Sequence, residues 1–175
     1  MENELPTRKQ IRLQYYDYSS PGAYFVTICT KKHQNYFWNG MVDPQKFSWI
    51  TVGANCVRPQ NLPLSNVGKI VFDELEKWNE TYSTVSLRSF VIMPDHLHLM
   101  VVISADEGRR PQDAPTLDRM VKQFKGAVTK KARIPIWQKS FVEHIVRNKM
   151  DYTEISNYIY ENPLRLYYDK LYAKK

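Results

Sequence analysis

A chain of 175 residues with 43% hydrophobic content is long and apolar enough for one sizeable core, which fits a single domain over 1–175 and excludes a disordered chain. No apolar run reaches membrane-spanning length and the N-terminus, "MENELPTRKQ", has no apolar signal core, so a cytoplasmic protein with no membrane partner is expected. Lys and Arg number 25 against 18 Asp and Glu, a formal charge of +7 that suits a polyanionic partner, while two distant cysteines, Cys29 and Cys56, exclude a disulfide framework or a thiolate zinc site.

Residues 1–20 are polar and mixed and read as a loosely held arm, ending at a Pro21-Gly22 turn. "AYFVTICT" (23–30) is β-branched and aromatic, a strand pattern. Residues 39–66, punctuated by Gly40, Pro44, Gly53, Pro59 and Pro63, read as an excursion with a short hairpin around "KFSWITV". In "LSNVGKIVFDELEKWNE", Val67, Ile70, Val71, Leu75 and Trp78 recur at helical spacing, with Ser65 or Asn66 as the cap.

"TVSLRSFVIMP" (84–94) is the second strand and "HLHLMVVIS" (96–104) the third, joined by a tight Pro94-Asp95 turn. A loop over 105–115 leads to a second helix, 116–132, with Leu117, Met120, Val121, Phe124 and Val128 as its apolar stripe. "IPIWQKSFVEHIV" (134–146) is read as the fourth strand, bent at Gln138–Ser140. "DYTEISNYIYEN" is the last helix, with Asp151 and Glu154 at capping-box spacing. This order is α+β: a ferredoxin-like βαββαβ sandwich, one antiparallel sheet with two helices on one face, plus an extra C-terminal helix.

Strand side chains alternate, so His96, His98, Met100 and Val102 share one face while Leu97, Leu99, Val101 and Ile103 face the helices. The two imidazoles leave one face about 7 Å apart along the strand, which suits two ligands of one metal ion on the sheet face away from the helices. His144, in "FVEHIV", is a weaker candidate, either as support for metal ligands or as a phosphate contact. Tyr158 and Asn162, four apart in "NYIYENPLR", share a helix face. A phenol can attack phosphorus, and an amide oxygen can complete a His-His-Asn site. The competing reading is a packed tyrosine and an Asn162-Pro163 helix stop.

Together "VIMPDHLHLMVVI", "IWQKSFVEHIVRNKMDY" and "YIYENPLR" resemble the single-tyrosine transposases of the insertion-sequence-200-like family, and most closely the REP-associated tyrosine transposases. The likeness runs from about residue 20 to 166, and the three motifs together are specific. It implies His96 and His98 as the metal-binding HUH pair, Asn162 as the third metal ligand and Tyr158 as the nucleophile. It also implies a ferredoxin-like fold and a Mg²⁺ or Mn²⁺ cofactor. The implied reaction is cleavage and rejoining of single-stranded DNA through a 5′-phosphotyrosine, on hairpin-forming repeats, by a monomer or homodimer. Val142 stands where a tryptophan is common, and the "YYDKLYAKK" end lacks the usual glycine.

Twelve tyrosines and four tryptophans among basic residues suit stacking on unpaired bases. Lys122, Lys130, Lys131 and Arg133 are candidate guides for the DNA backbone, with Arg8, Lys9 and Arg12 of the arm. Two other readings stand beside this one. A non-catalytic relative would bind nucleic acid without cutting it. A histidine-triad nucleotide hydrolase would use alternating histidines, but its third position here is Met100.

Overall fold

The computed structural model describes residues 20–52, 56–105 and 116–173; the arm with Arg8, Lys9 and Arg12, and most of the loop after the third predicted strand, lie outside them. The strands are β1 (Gly22–Cys29), β2 (Ser48–Val52), β3 (Cys56–Gln60), β4 (Val85–Ile92), β5 (His96–Ile103) and β6 (Val142–Val146). The helices are α1 (Asn66–Glu76), the short α2 (Trp78–Thr81), α3 (Leu117–Ala132) and α4 (Lys149–Tyr172). They build one six-stranded sheet in the order β2-β3-β4-β5-β1-β6.

Removing the β2–β3 hairpin leaves β4-β5-β1-β6, all antiparallel, which is the ferredoxin-like arrangement expected from the element order. The excursion supplies that hairpin, and β3 adds to β4 in parallel, so the complete sheet is mixed and not wholly antiparallel.

Register sorts the two faces. Val26, Leu99 and Phe90 are cross-strand neighbours on one face, where Phe72 of α1 meets Phe90 edge-on at 5.7 Å. α3 packs beside α1, burying Leu117, Met120, Val121, Phe124 and Val128, and Trp78 meets Phe124 at 5.7 Å. Thr27, His98 and Val91 share the other face with Phe25, Met100 and His144. α4 crosses that face, burying Ser156, Ile159 and Pro163, and packs on β4 and β5. β5 therefore lies between two layers, and from Leu97 to Val101 it is buried on both sides.

Each long helix starts on a side-chain cap. Ser65 accepts from the Gly68 amide, Thr116 from Arg119 and Asn148 from Asp151. The α1 start is pinned tightly: Ser65 N–H donates to the Phe37 carbonyl (2.8 Å), and a Cβ on Gly68 would lie 2.2 Å from that same oxygen.

Three local expectations are refined or corrected. The fourth strand proper is Val142–Val146; ahead of the expected bend at Gln138–Ser140 the segment makes a single antiparallel bridge, Thr30 with Trp137, in which Lys31 N–H donates to Ile136 O and Gln138 N–H to Cys29 O, while Lys125 Nζ donates to Gln138 O. The cap of α4 is Asn148, which puts Asp151 at the third helical position, where its carboxylate accepts from the Arg147 amide (3.0 Å). The Asn162-Pro163 pair does not stop the helix, which continues to Tyr172. Burial of Pro163 against the sheet and packing of Leu164, Leu166 and Tyr167 on the core outweigh the helical hydrogen bond that proline cannot make.

Candidate active site under the C-terminal helix

The β4–β5 turn sets the histidines, and the 30–37 segment fixes the turn. Met93 N–H donates to His96 O (2.8 Å), closing it. Thr30 N–H donates to Asp95 O (2.8 Å) and Phe37 N–H to Pro94 O (3.0 Å), so both turn residues are tied from outside. Trp38 Nε1–H adds a buried bond to Ile92 O (2.7 Å).

His96 and His98 then leave β5 on the face under α4, with their Nε2 atoms 3.1 Å apart. The outer ring nitrogens are engaged. Asp95, a carboxylate, accepts from His96 Nδ1–H (2.7 Å), which leaves the lone pair of a neutral His96 on Nε2. Thr27 Oγ1 lies 2.9 Å from His98 Nδ1 and serves either tautomer, since a hydroxyl both donates and accepts. When His98 donates from Nδ1, both Nε2 lone pairs point into one space. The second oxygen of Asp95 takes His33 Nδ1 (3.0 Å), and Gln138 Nε2 lies 3.3 Å from His33 Nε2. Lys32 and His33 hold this position with φ of 57° and 51°, a left-handed pair that side chains other than glycine seldom adopt.

His98 is 4% exposed, and burial, with the neighbouring His96 charge adding to it, pushes its pKa down to about 3. It is neutral at neutral pH, as a metal ligand must be. Cys29, opposite His96 in the register, has its thiol pushed up by burial and by the Asp95 charge.

α4 brings the phenol. The Tyr158 ring lies 5.1 Å from the His98 ring and 6.0 Å from Phe25, edge-on to Phe25, which itself stacks on His98 at 5.1 Å. Tyr158 remains 42% exposed, so its ring is braced while one side stays open. One turn on, Asn162 donates from its amide nitrogen to Tyr158 O (2.8 Å), which leaves the amide oxygen as the end able to ligate. Asp95, His96, Tyr158 and Asn162 line one groove of about 490 Å³.

Among the described residues no three His, Cys, Asp or Glu side chains cluster as a metal site. The sequence-expected set, His96, His98 and Asn162, offers two imidazoles and one amide oxygen as donors. A spacing of 3.1 Å between the two Nε2 atoms matches the edge between adjacent ligands about 2.1 Å from one octahedral cation. The outer-nitrogen bonds to Asp95 and Thr27 are the kind that orient ligating histidines. The donor set fits a divalent ion of the Mg²⁺ or Mn²⁺ class.

The other sequence candidates lie apart from this groove. His144 shares the face but bonds Asp151 at the start of α4, with Nε2 3.0 Å from Oδ2. Lys122 lies on α3 in a separate cavity of about 670 Å³ with Arg119, Lys125 and Lys139. Lys131 pairs with Glu74 of α1, Lys130 is exposed at the end of α3, and Arg133 caps that helix with φ 57°. These cations belong to the helix pair on the far face of the sheet. Met100, where a triad would need its third histidine, is fully buried.

No family model matches the chain. An uncharacterized protein of Haemophilus influenzae is 30% identical over 185 residues, covering 95% of this chain and 93% of that protein. A second protein of that organism, provisionally named a REP-associated tyrosine transposase, is 29% identical over 82 residues, 42% of this chain and 47% of the relative. A solved structure of a REP-associated tyrosine transposase bound to a REP hairpin superposes with a TM-score of 0.56 at 20% identity, covering 88% of this chain and 72% of that one; the shared feature is the fold. No described helix is long and apolar enough to cross a membrane.

Proposed function

We propose that this chain is a transposase of the REP-associated tyrosine type, which cleaves and rejoins single-stranded DNA with Tyr158 as its nucleophile. The observation that carries this reading is the approach of the Tyr158 ring to the His98–His96 pair within one chain.

His96, His98 and Asn162 are the residues that would hold Mg²⁺ or Mn²⁺. Such an ion, when bound, withdraws negative charge from a phosphate. Tyr158 Oη attacks the phosphorus, forming an O–P bond as the P–O3′ bond breaks. The phenolic proton is lost in the attack, and the departing 3′ oxygen ends as a hydroxyl. The 5′-phosphotyrosine keeps the ester linkage, so a second 3′-hydroxyl can displace the tyrosine and reseal a strand without ATP. Phe25 and His98 hold the phenol ring in place, and Thr27 and Asp95 hold the imidazoles. Hairpin-forming repeats are the proposed setting, because the superposed transposase is bound to one.

The test is incubation with labelled single-stranded DNA and Mn²⁺, followed by denaturing electrophoresis. A covalent adduct in the wild type that disappears in Tyr158→Phe is expected; an adduct that persists in Tyr158→Phe would remove Tyr158 from the role.

A further inference from the structure

The groove holding Tyr158 and Asn162 does not end with them. Because α4 runs through Pro163, it carries Arg165, Asp169 and Lys170 into the same lining. At about 100° per residue, Tyr158, Asn162, Arg165 and Asp169 form one narrow stripe along the helix. Ile159 and Pro163, at the sheet, sit about a quarter to a third of a turn away. The stripe therefore flanks the buried seam and forms one wall of the groove. The opposite wall is the β4–β5 turn, with Pro94, Asp95 and His96.

Arg165 is exposed and, like Lys170, makes no ion pair with a described residue, although Asp169 is four positions from it. Two cations of α3 are engaged elsewhere: Lys125 is spent on two carbonyls and Lys131 on Glu74. A guanidinium beside a transesterification site, free of carboxylates, suits a phosphate. The groove is not simply basic, however. Asp169 adds an acceptor and Asn35 an amide, groups that meet the edge of an unpaired base. About 490 Å³ lies within the range of small-ligand clefts, room for one nucleotide and not for a duplex.

We propose that this groove seats one unpaired nucleotide beside the scissile phosphate, with Arg165 holding its phosphate and Lys170 supporting it. This rests on the reading of the chain as an enzyme of single-stranded DNA and names where the flanking strand runs. The strand leaves Tyr158 along α4 toward its C-terminal end, with the base edge toward Asp169 and Asn35.

The test uses the full chain and a short fluorescent single-stranded DNA of mixed sequence, with affinity read by anisotropy across a salt series. Arg165→Ala is expected to weaken binding about tenfold, the loss of one charge-assisted contact. It should also lower the salt-dependence slope by about 0.7, the value for one phosphate on a single strand. Arg165→Lys, which keeps the charge, is expected to keep the slope and serves as the control for folding. An unchanged affinity and slope in Arg165→Ala overturns the proposal. So does an equal loss in Arg165→Lys, which would make the effect one of shape and not of phosphate charge. The covalent-adduct assay separates the two readings. A lowered slope without any adduct in the wild type sinks the catalytic role and leaves the nucleotide seat; an adduct with an unchanged slope does the reverse.

Discussion

The Tyr158 and His98 rings lie 5.1 Å apart, centroid to centroid, at an interplanar angle of 62°. They come from the last helix and the middle strand of the sheet, 60 positions apart in the chain, and they meet because α4 crosses the face that β5 leaves uncovered by α1 and α3. A phenol held on the flank of a neutral, buried imidazole is the relationship from which the chemistry proposed here follows.

Asp95 accepts from His96 with one oxygen and engages His33 with the other. Replacing Asp95 by Asn removes the acceptor charge that fixes the His96 tautomer. Mn²⁺ affinity, measured by calorimetry, is expected to fall roughly 10- to 100-fold, as loss of such a supporting group typically does. His33→Ala should weaken it less, since Asp95 keeps its bond to His96. Binding unchanged in Asp95→Asn would contradict this.

His98 links the site to acid stability. Its folded pKa, about 3, lies below its ordinary 6.5, so the unfolded chain binds the extra proton first as pH falls. The stability is fully present above pH 6.5 and is lost progressively from there toward pH 3. Two units below 6.5 the loss is on the order of 3 kcal/mol. Thermal melting of metal-free protein across this window should show it, and His98→Asn should flatten the acid limb. An equally steep limb in the variant would locate the sensitivity elsewhere.

His144 meets Asp151 seven positions, two helical turns, before Tyr158 on α4. Asp151 is held below the usual carboxylate range by the Arg147 amide bond and then by His144. The pair tethers the start of α4 to β6. His144→Ala is expected to slow adduct formation several-fold without abolishing it and to leave Mn²⁺ affinity unchanged. Complete loss of adduct, or of metal binding, would place His144 in the groove itself.

Gly68 tests the packing that holds the β4–β5 turn from behind. Gly68→Ala drives a methyl into the Phe37 carbonyl, whose residue also donates to Pro94 O. A loss of about 2 kcal/mol or more is expected, since backbone cannot move aside as a side chain can. Denaturant unfolding measures it, and a neutral result would mean that the 36–37 segment yields freely.

Much of this was legible in the sequence, for identifiable reasons. Alternation placed His96 and His98 together on β5, helical spacing marked α1 and α3, and the order of elements gave the ferredoxin-like core. What was missed depended on distant partners. Thr27 and Phe25 join the site only through the β1–β5 register, which pairs Thr27 with His98 and Phe25 with Met100. His33 joins through a left-handed turn with no glycine to announce it. Arg165 was hidden by the local rule that a proline ends a helix, a rule that core packing of Leu164, Leu166 and Tyr167 overrode. Asp95, by contrast, stands beside the HxH in plain sight, where the local pattern marks it only as a turn residue.

The most direct measurement is to digest the covalent protein–DNA product with protease and nuclease and find the modified residue by mass spectrometry. A nucleotide mass on the peptide carrying Tyr158, and specifically on that side chain, is the result expected. The same mass on Tyr152, Tyr160 or Tyr167, or no modified peptide from Mn²⁺-loaded protein, would contradict the account.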